Sequence, residues 1–205
     1  MARSYDMGRR GQAAADTRAS IIEAAHRLLN QRDGSALTLQ EVATAAGVSR
    51  ATVYKSVGSR RELLAAVFED QGRLIQFDRV LSASRLDDPA LAVIATVRES
   101  CRAWSVIPEA VRKTLALAVI DAEIGELVQQ YERYRQAEMT ALARRALKAG
   151  AVRPGLSLKD AAATLALLTG FPAFDQLRFE HDAAAATEHL VRIVTASLGI
   201  NPHEE

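Results

Sequence analysis

Arg50, Ala51, Thr52, Tyr54 and Lys55 crowd into six consecutive positions, and their side chains suit the reading of a DNA duplex. An Arg fork pairs with guanine O6 and N7, while the methyl groups of Ala and Thr meet a thymine methyl. Tyr54 and Lys55 reach phosphates, which position a protein without reading sequence. Arg60 falls at the start of a further helix, beside exposed backbone N–H groups that seat a phosphate. The same residues also suit an ordinary α-hairpin with a solvated polar face. The elements that hold the cluster decide between the two.

Those elements are short helices set at sharp turns. Thr38 and Glu41 have the spacing of a capping box, and Leu39, Val42, Ala43 and Ala46 form an apolar stripe at helical spacing. Gly47 then stops the helix, because a left-handed backbone is cheap only without a Cβ. Ser49 caps the next helix, RATVYKSV, with Val53 as its inward anchor. A helix, a turn containing Gly and a second short helix make a helix-turn-helix unit. Its second helix enters the DNA major groove. Ser59 and Glu62 form another capping box and launch a helix that runs to about residue 80. Upstream, RASIIEAAHRLLNQ reads as a first helix, capped at Asp16 or Thr17 and stopped at Asp33-Gly34. Residues 1–15, with Arg3, Arg9 and Arg10, read as a flexible basic arm.

The stretch from Thr17 to Leu64 resembles the DNA-binding domain of the TetR family of bacterial transcriptional regulators. The likeness lies in IIEAAHRLL, Gly34, LTLQEVATAAGVSRATVY and GSRREL. It implies that Thr38, Arg50, Ala51, Thr52, Tyr54, Lys55 and Arg60 face DNA, with Tyr54 and Arg60 on phosphates. It also implies a dimer built on the last two helices, and a small-molecule effector held in a C-terminal bundle. Lys55-Ser56-Val57 departs from the family's usual pair of aromatic or His residues followed by Phe, and Arg60 replaces the commoner Lys. Arg60 is expected to keep the phosphate contact and Val57 to make a smaller hydrophobic plug, whereas Lys55 with Ser56 is expected to change which operator is read.

Apolar residues make up 49% of the 205-residue chain, enough for a core, and strand-type alternation is absent. The fold expected is therefore all-α: an N-terminal three-helix helix-turn-helix domain over 16–62 and a C-terminal helical bundle over 81–205. Residues 1–61 carry 10 Lys/Arg against 5 Asp/Glu, and residues 62–205 carry 16 against 20. A basic end on an acidic body suits a polyanionic partner.

In the C-terminal part, AAATLALLTG and HLVRIVTASL present apolar faces that a second chain would bury, so Leu165, Leu168, Leu190, Ile193 and Val194 are the candidate dimer interface. Trp104, Tyr131, Tyr134, Phe171 and Phe174, with Cys101 and Met139 as softer ones, are the candidate ligand wall, although an aromatic at helical spacing is more often plain core. Arg98 and Arg102 could face an anionic ligand, but read mainly as solvated surface.

An enzyme is not expected. Cys101 has no Gly-rich elbow, His26, His181, His189 and His203 are scattered, and no phosphate-binding glycine loop appears. Nor is a metal site or cofactor. The single cysteine and the absence of an apolar run of about 18 residues favour a cytoplasmic chain. The expected function is a DNA-binding transcriptional regulator, a repressor that binds an inverted repeat as a homodimer and is released by an effector. The alternative is a helical interaction protein of the same fold that no longer reads DNA.

Overall fold

The computed structural model describes residues 2–31 and 36–200, with side chains from Gly11 onward. Asp33-Gly34, expected as a helix stop, and His203 lie outside the described residues, as do the side chains of Arg3, Arg9 and Arg10. The described residues are 82% helical, and no strand occurs among them. The helices are α1 (Ala2–Gln31), α2 (Leu39–Ala46), α3 (Arg50–Val57), α4 (Arg60–Leu74), α5 (Phe77–Ser84), α6 (Pro89–Val106), α7 (Pro108–Ile120), α8 (Ala122–Lys148), α9 (Leu158–Leu168), α10 (Phe171–Leu177) and α11 (Ala183–Leu198). They fall into two compact units, one of Met1–Gln71 with Arg112–Val128 and one of Gly72–Val111 with Gln129–Glu205.

In the first unit, Ile21, Ile22, Ala24 and Ala25 of α1 are buried with Val42 and Ala43 of α2, Val53 and Val57 of α3, and Leu63, Leu64 and Val67 of α4. Leu117 and Ile124 complete this core from the α7–α8 corner. The α2–α3 turn forms as its residues dictate. Thr38 Oγ1 accepts from Glu41 N–H at 3.2 Å, and Glu41 accepts from Thr38 N–H at 2.9 Å. Gly47 takes φ 67°, while its own N–H and that of Val48 close onto the last carbonyls of α2.

Two helix boundaries differ from the sequence reading. α1 continues back to Ala2, through the stretch expected as an arm. Asp16 and Thr17 do not cap it but lie inside it, Gln12 donating to Asp16 at 2.9 Å and Thr17 Oγ1 to Ala13 O at 2.7 Å. The helix expected to run to about residue 80 breaks between α4 and α5, where Gln76 adopts φ 53°. That left-handed conformation costs a residue with a Cβ about 1 kcal/mol. Arg102 supports the break, its Nη2 donating to Ile75 O at 2.7 Å while Nε holds Glu99 at 2.6 Å. The Arg102 side chain is therefore structural rather than free surface.

In the second unit, α6 packs against α5, α10 and α11, and α9 packs against α11. Asp88 caps α6 ahead of Pro89, Ser157 caps α9 and Asp182 caps α11. Pro172 sits in the first turn of α10, where its missing N–H is harmless.

Candidate nucleic-acid interface and ligand cavity

The two faces of α3 are sharply divided. Val53 and Val57, one turn apart, are buried and fix the helix to the core. Arg50, Ala51, Tyr54 and Lys55 point outward, Tyr54 with 65% of its surface open. Among the described residues, none bonds to the side chains of Arg50, Tyr54 or Lys55. At the N-terminus, Ser49 Oγ accepts from Thr52 N–H at 3.0 Å and lies 2.8 Å from Thr52 Oγ1. Thr52 is thus half-buried and engaged in the cap. At the other end, Arg18 of α1 donates to Ser56 O at 2.8 Å, which holds the last turn of α3 in place. Thr38 is exposed, its hydroxyl donating to Glu41 at 2.6 Å. Thr38, Arg50, Ala51, Thr52, Tyr54 and Lys55 therefore sit on α2, α3 and the N-cap before α2, and Arg50, Ala51, Tyr54 and Lys55 form one open surface.

Arg60 is placed differently. Its Nε donates to Leu37 O at 2.6 Å, Nη1 donates to Asp121 Oδ1 at 3.3 Å and to Glu123, and Nη2 donates to Asp121 Oδ2. This fork geometry is the strong form of a charge-assisted pair. Burial works against the Arg60 charge, but the bonds and charges of Asp121 and Glu123 outweigh it and raise the guanidinium pKa. Burial likewise works against the Asp121 charge, yet Arg60 and the Ile124 N–H hold its carboxyl below the usual range. The expectation of Arg60 on a phosphate is corrected on this geometry. Its donors are committed to the α7–α8 corner and to the carbonyl just before Thr38, so it ties the starts of α2 and α4 to that corner. Arg61 pairs with Glu126 of the same corner, but both are about half exposed or more, and such pairs contribute little.

The second unit contains a small apolar cavity, with room for about one water molecule. Three helical stripes line it: Phe77, Val80, Leu81 and Ser84 of α5; Ser100, Ala103 and Trp104 of α6; Tyr131, Arg135, Glu138 and Met139 of α8. Ile75 and Thr169 close it. Of the wall candidates, Trp104, Tyr131 and Met139 belong to this lining. Phe171 stands behind it, edge-on to Trp104 at 5.8 Å, and Tyr134 is 45% exposed beside Phe77. Phe174 is fully buried core. Cys101 lies on the side of α6 that faces Thr187 of α11, away from the lining. The missed residues were present as i, i+3, i+4 sets on α5, α6 and α8, but single-helix spacing does not tell which stripes converge.

Burial pushes the Cys101 thiol up to about 11. We expect iodoacetamide to alkylate the native chain at pH 8 at least about a hundredfold more slowly than the unfolded chain, followed by mass spectrometry. Equal rates would contradict its burial.

The proposed interface set is divided. Leu165, Leu190 and Val194 are fully buried in the chain's own core, because α11 packs on both α6 and α9. These three cannot meet a second chain without unfolding the unit. Leu168 and Ile193 are half-buried, and the open apolar residue between the expected positions is Leu167, 69% exposed. Arg98 pairs with Glu188 at 3.2 Å.

The rings of His181 and His189 stack 5.8 Å apart, closer than two helical turns suggest, because His181 precedes the Asp182 cap rather than lying on α11. Among the described residues no group of three His, Cys, Asp or Glu is placed to hold a metal ion. No helix among them is long and apolar enough to cross a membrane.

Residues 21–67 match the family profile described as bacterial regulatory proteins, tetR family. An uncharacterized HTH-type transcriptional regulator of Mycobacterium tuberculosis is 33% identical over 94 residues, 46% of this chain and 45% of the relative. The HTH-type transcriptional regulator BetI of Rhizobium meliloti is 31% identical over 119 residues, 57% of this chain and 59% of the relative. The chain thus spans about half the length of the curated relatives it matches. Among solved structures, a SmeT–triclosan complex superposes with a TM-score of 0.72 at 20% identity, covering 92% of this chain and 93% of the other. NalD of Pseudomonas aeruginosa, the secondary repressor of the MexAB-OprM multidrug efflux pump, superposes with a TM-score of 0.71 at 18% identity, covering 94% and 100%. These likenesses show a shared fold.

Proposed function

The chain belongs to the TetR family of bacterial regulatory proteins, and from that premise we propose that it is a cytoplasmic, non-enzymatic repressor of transcription. It binds an inverted-repeat operator as a homodimer and releases it when a small-molecule effector binds. The observation that carries this reading is the α3 surface, where Arg50, Ala51, Tyr54 and Lys55 stand open on a helix anchored by Val53 and Val57. Arg50 reads base edges, Ala51 and Thr52 offer methyl groups, and Tyr54, Lys55 and Thr38 contact phosphates. Arg60 positions these elements rather than touching DNA.

One such helix reads only a half-site. Two of them, about 34–36 Å apart, read successive major grooves. The homodimer face is built on α9 and α11 and includes Leu167, Leu168 and Ile193, which the chain's own core leaves partly open. Repression is proposed on the example of NalD, a secondary repressor, and small-molecule binding on that of SmeT, known in complex with triclosan. The effector acts by preferring a dimer geometry that does not fit the two half-sites, so its differential affinity sets the loss of DNA binding.

Selection of bound duplexes from a random pool, with purified full-length protein at moderate salt, tests this directly. An enriched inverted repeat is expected. A folded, dimeric protein that enriches nothing, with or without added cell extract metabolites, would leave the helical interaction protein as the better reading.

A further inference from the structure

Three arginines of the first unit are neutralised by carboxylates. Arg27 pairs with Glu23 on α1, while Arg60 and Arg61 pair with Asp121, Glu123 and Glu126 of the α7–α8 corner. Arg18, Arg50 and Lys55 have no carboxylate partner among the described residues, and all three gather on α3. Arg50 opens that helix and Lys55 lies in its last turn. Arg18 comes from α1, and its Nη1 donates to Ser56 O at 2.8 Å.

Arg18 is unlike the other two in being held. The Ser56 carbonyl takes one of the five N–H donors of its guanidinium, and no other bond forms among the described residues. The side chain is exposed, so its charge is not needed to balance a buried group. Its position gives that charge a use. The last carbonyls of a helix make a partly negative end, which repels a phosphate unless a cation stands beside it. A helix in the major groove has a sugar–phosphate strand on either flank. Arg18 places a full positive charge at the C-terminal end of α3, fixed to the backbone of α3 itself.

We propose that Arg18 is a further DNA-contacting residue, which binds a backbone phosphate at the C-terminal end of α3 while Ser56 O holds its side chain in place. The inference deepens the regulator reading above and rests on it, since the phosphate belongs to the operator. The planar fork suits the task, because one N–H serves the carbonyl and the others remain for phosphate oxygens. Every duplex presents the same phosphates, so Arg18 adds affinity and register without adding base preference.

The experiment measures binding of full-length protein to the selected duplex and to one of random sequence, across a series of salt concentrations. Arg18→Ala is expected to lower the log–log salt slope by about 0.9 per half-site. It should weaken both duplexes by the same factor, about tenfold or more at moderate salt. Arg18→Lys keeps the charge and should keep the slope. Arg27→Ala removes a cation of the same helix that is already paired, and should leave the parent slope unchanged. Thermal unfolding of each variant checks that the fold is kept.

A residue that only steadied α3 would give another pattern, lower thermal stability with an unchanged slope in Arg18→Ala, and that result would overturn the assignment. A loss confined to the selected duplex would overturn it too, because Arg18 would then be reading bases. A parent chain that binds neither duplex at low salt would sink the regulator reading and the Arg18 contact together. A parent that binds, with an Arg18→Ala slope equal to its own, would remove the contact alone.

Discussion

Replacing Arg60 with Lys or Ala should lower both the stability of the first unit and its affinity for the selected duplex, yet leave the salt dependence of DNA binding unchanged. The side chain bonds to Leu37 O, Asp121 and Glu123 at once, and a Lys ammonium cannot span those directions. Arg60→Ala also strands Asp121, which is only 9% exposed. Breaking a fully buried pair costs about 3–5 kcal/mol. With the Arg60 side chain 23% and Glu123 39% exposed, solvent screening reduces the expectation to about 2–3 kcal/mol.

DNA affinity falls because Leu37 O lies next to Thr38, so loosening the node frees the start of α2 from α4. A phosphate ligand would instead reduce the log–log salt slope by about 0.9 per contact. A reduced slope with unchanged stability in Arg60→Lys would return Arg60 to the phosphate role.

The same node shapes the acid side of the stability profile. Asp121 is held below its ordinary range in the folded chain, so its contribution is complete above the unfolded carboxylate value of about 4. It is lost as pH falls through the lower folded value. Urea denaturation between pH 7 and pH 2 should therefore show Arg60→Ala converging with the parent chain at the acid end. A constant difference across that range would show that the pair does not stabilise the folded chain.

Arg50→Ala and Tyr54→Ala should both weaken DNA binding, by different routes. Arg50 opens the first turn of α3, where a bidentate guanine contact is worth about 1–3 kcal/mol of discrimination per half-site. Its loss should blur base preference at one position of each half-site and weaken the symmetric site about tenfold or more. Tyr54 contacts phosphate in the proposed complex, so its loss should weaken every duplex alike. Lys55→Ala should act similarly and also reduce the salt slope by about 0.9 per half-site. All three side chains are exposed and unbonded in the free chain, so stability should shift by no more than about 0.5 kcal/mol. Equal loss of base preference from the Arg50 and Tyr54 changes, measured on a panel of point-substituted sites, would show that the assigned roles are wrong.

What the sequence determined by itself is the set of features whose physics is local. Thr38 with Glu41, Ser49 with Thr52 and Ser59 with Glu62 all cap helices through groups three residues apart, and each formed where its spacing indicated. Gly47 turned the chain because only the absence of a Cβ makes φ 67° cheap. Val53 faced inward and Arg50, Tyr54 and Lys55 outward because a helix repeats every 3.6 residues.

Tertiary structure decided whatever depended on a partner far along the chain. Arg60 looked like a phosphate ligand from its helix start, but its acidic partners lie 61 and 63 residues away. Gln76 broke a helix that its own residues favoured, because Arg102 reaches back 27 residues to Ile75 O. Leu165, Leu190 and Val194 formed apolar stripes suited to either a core or an interface, and the packing of α6, α9 and α11 used them for the core. The cavity arose in the same way, from three stripes each legible alone. A stripe specifies that a face will be buried; only the arrangement of helices specifies against what.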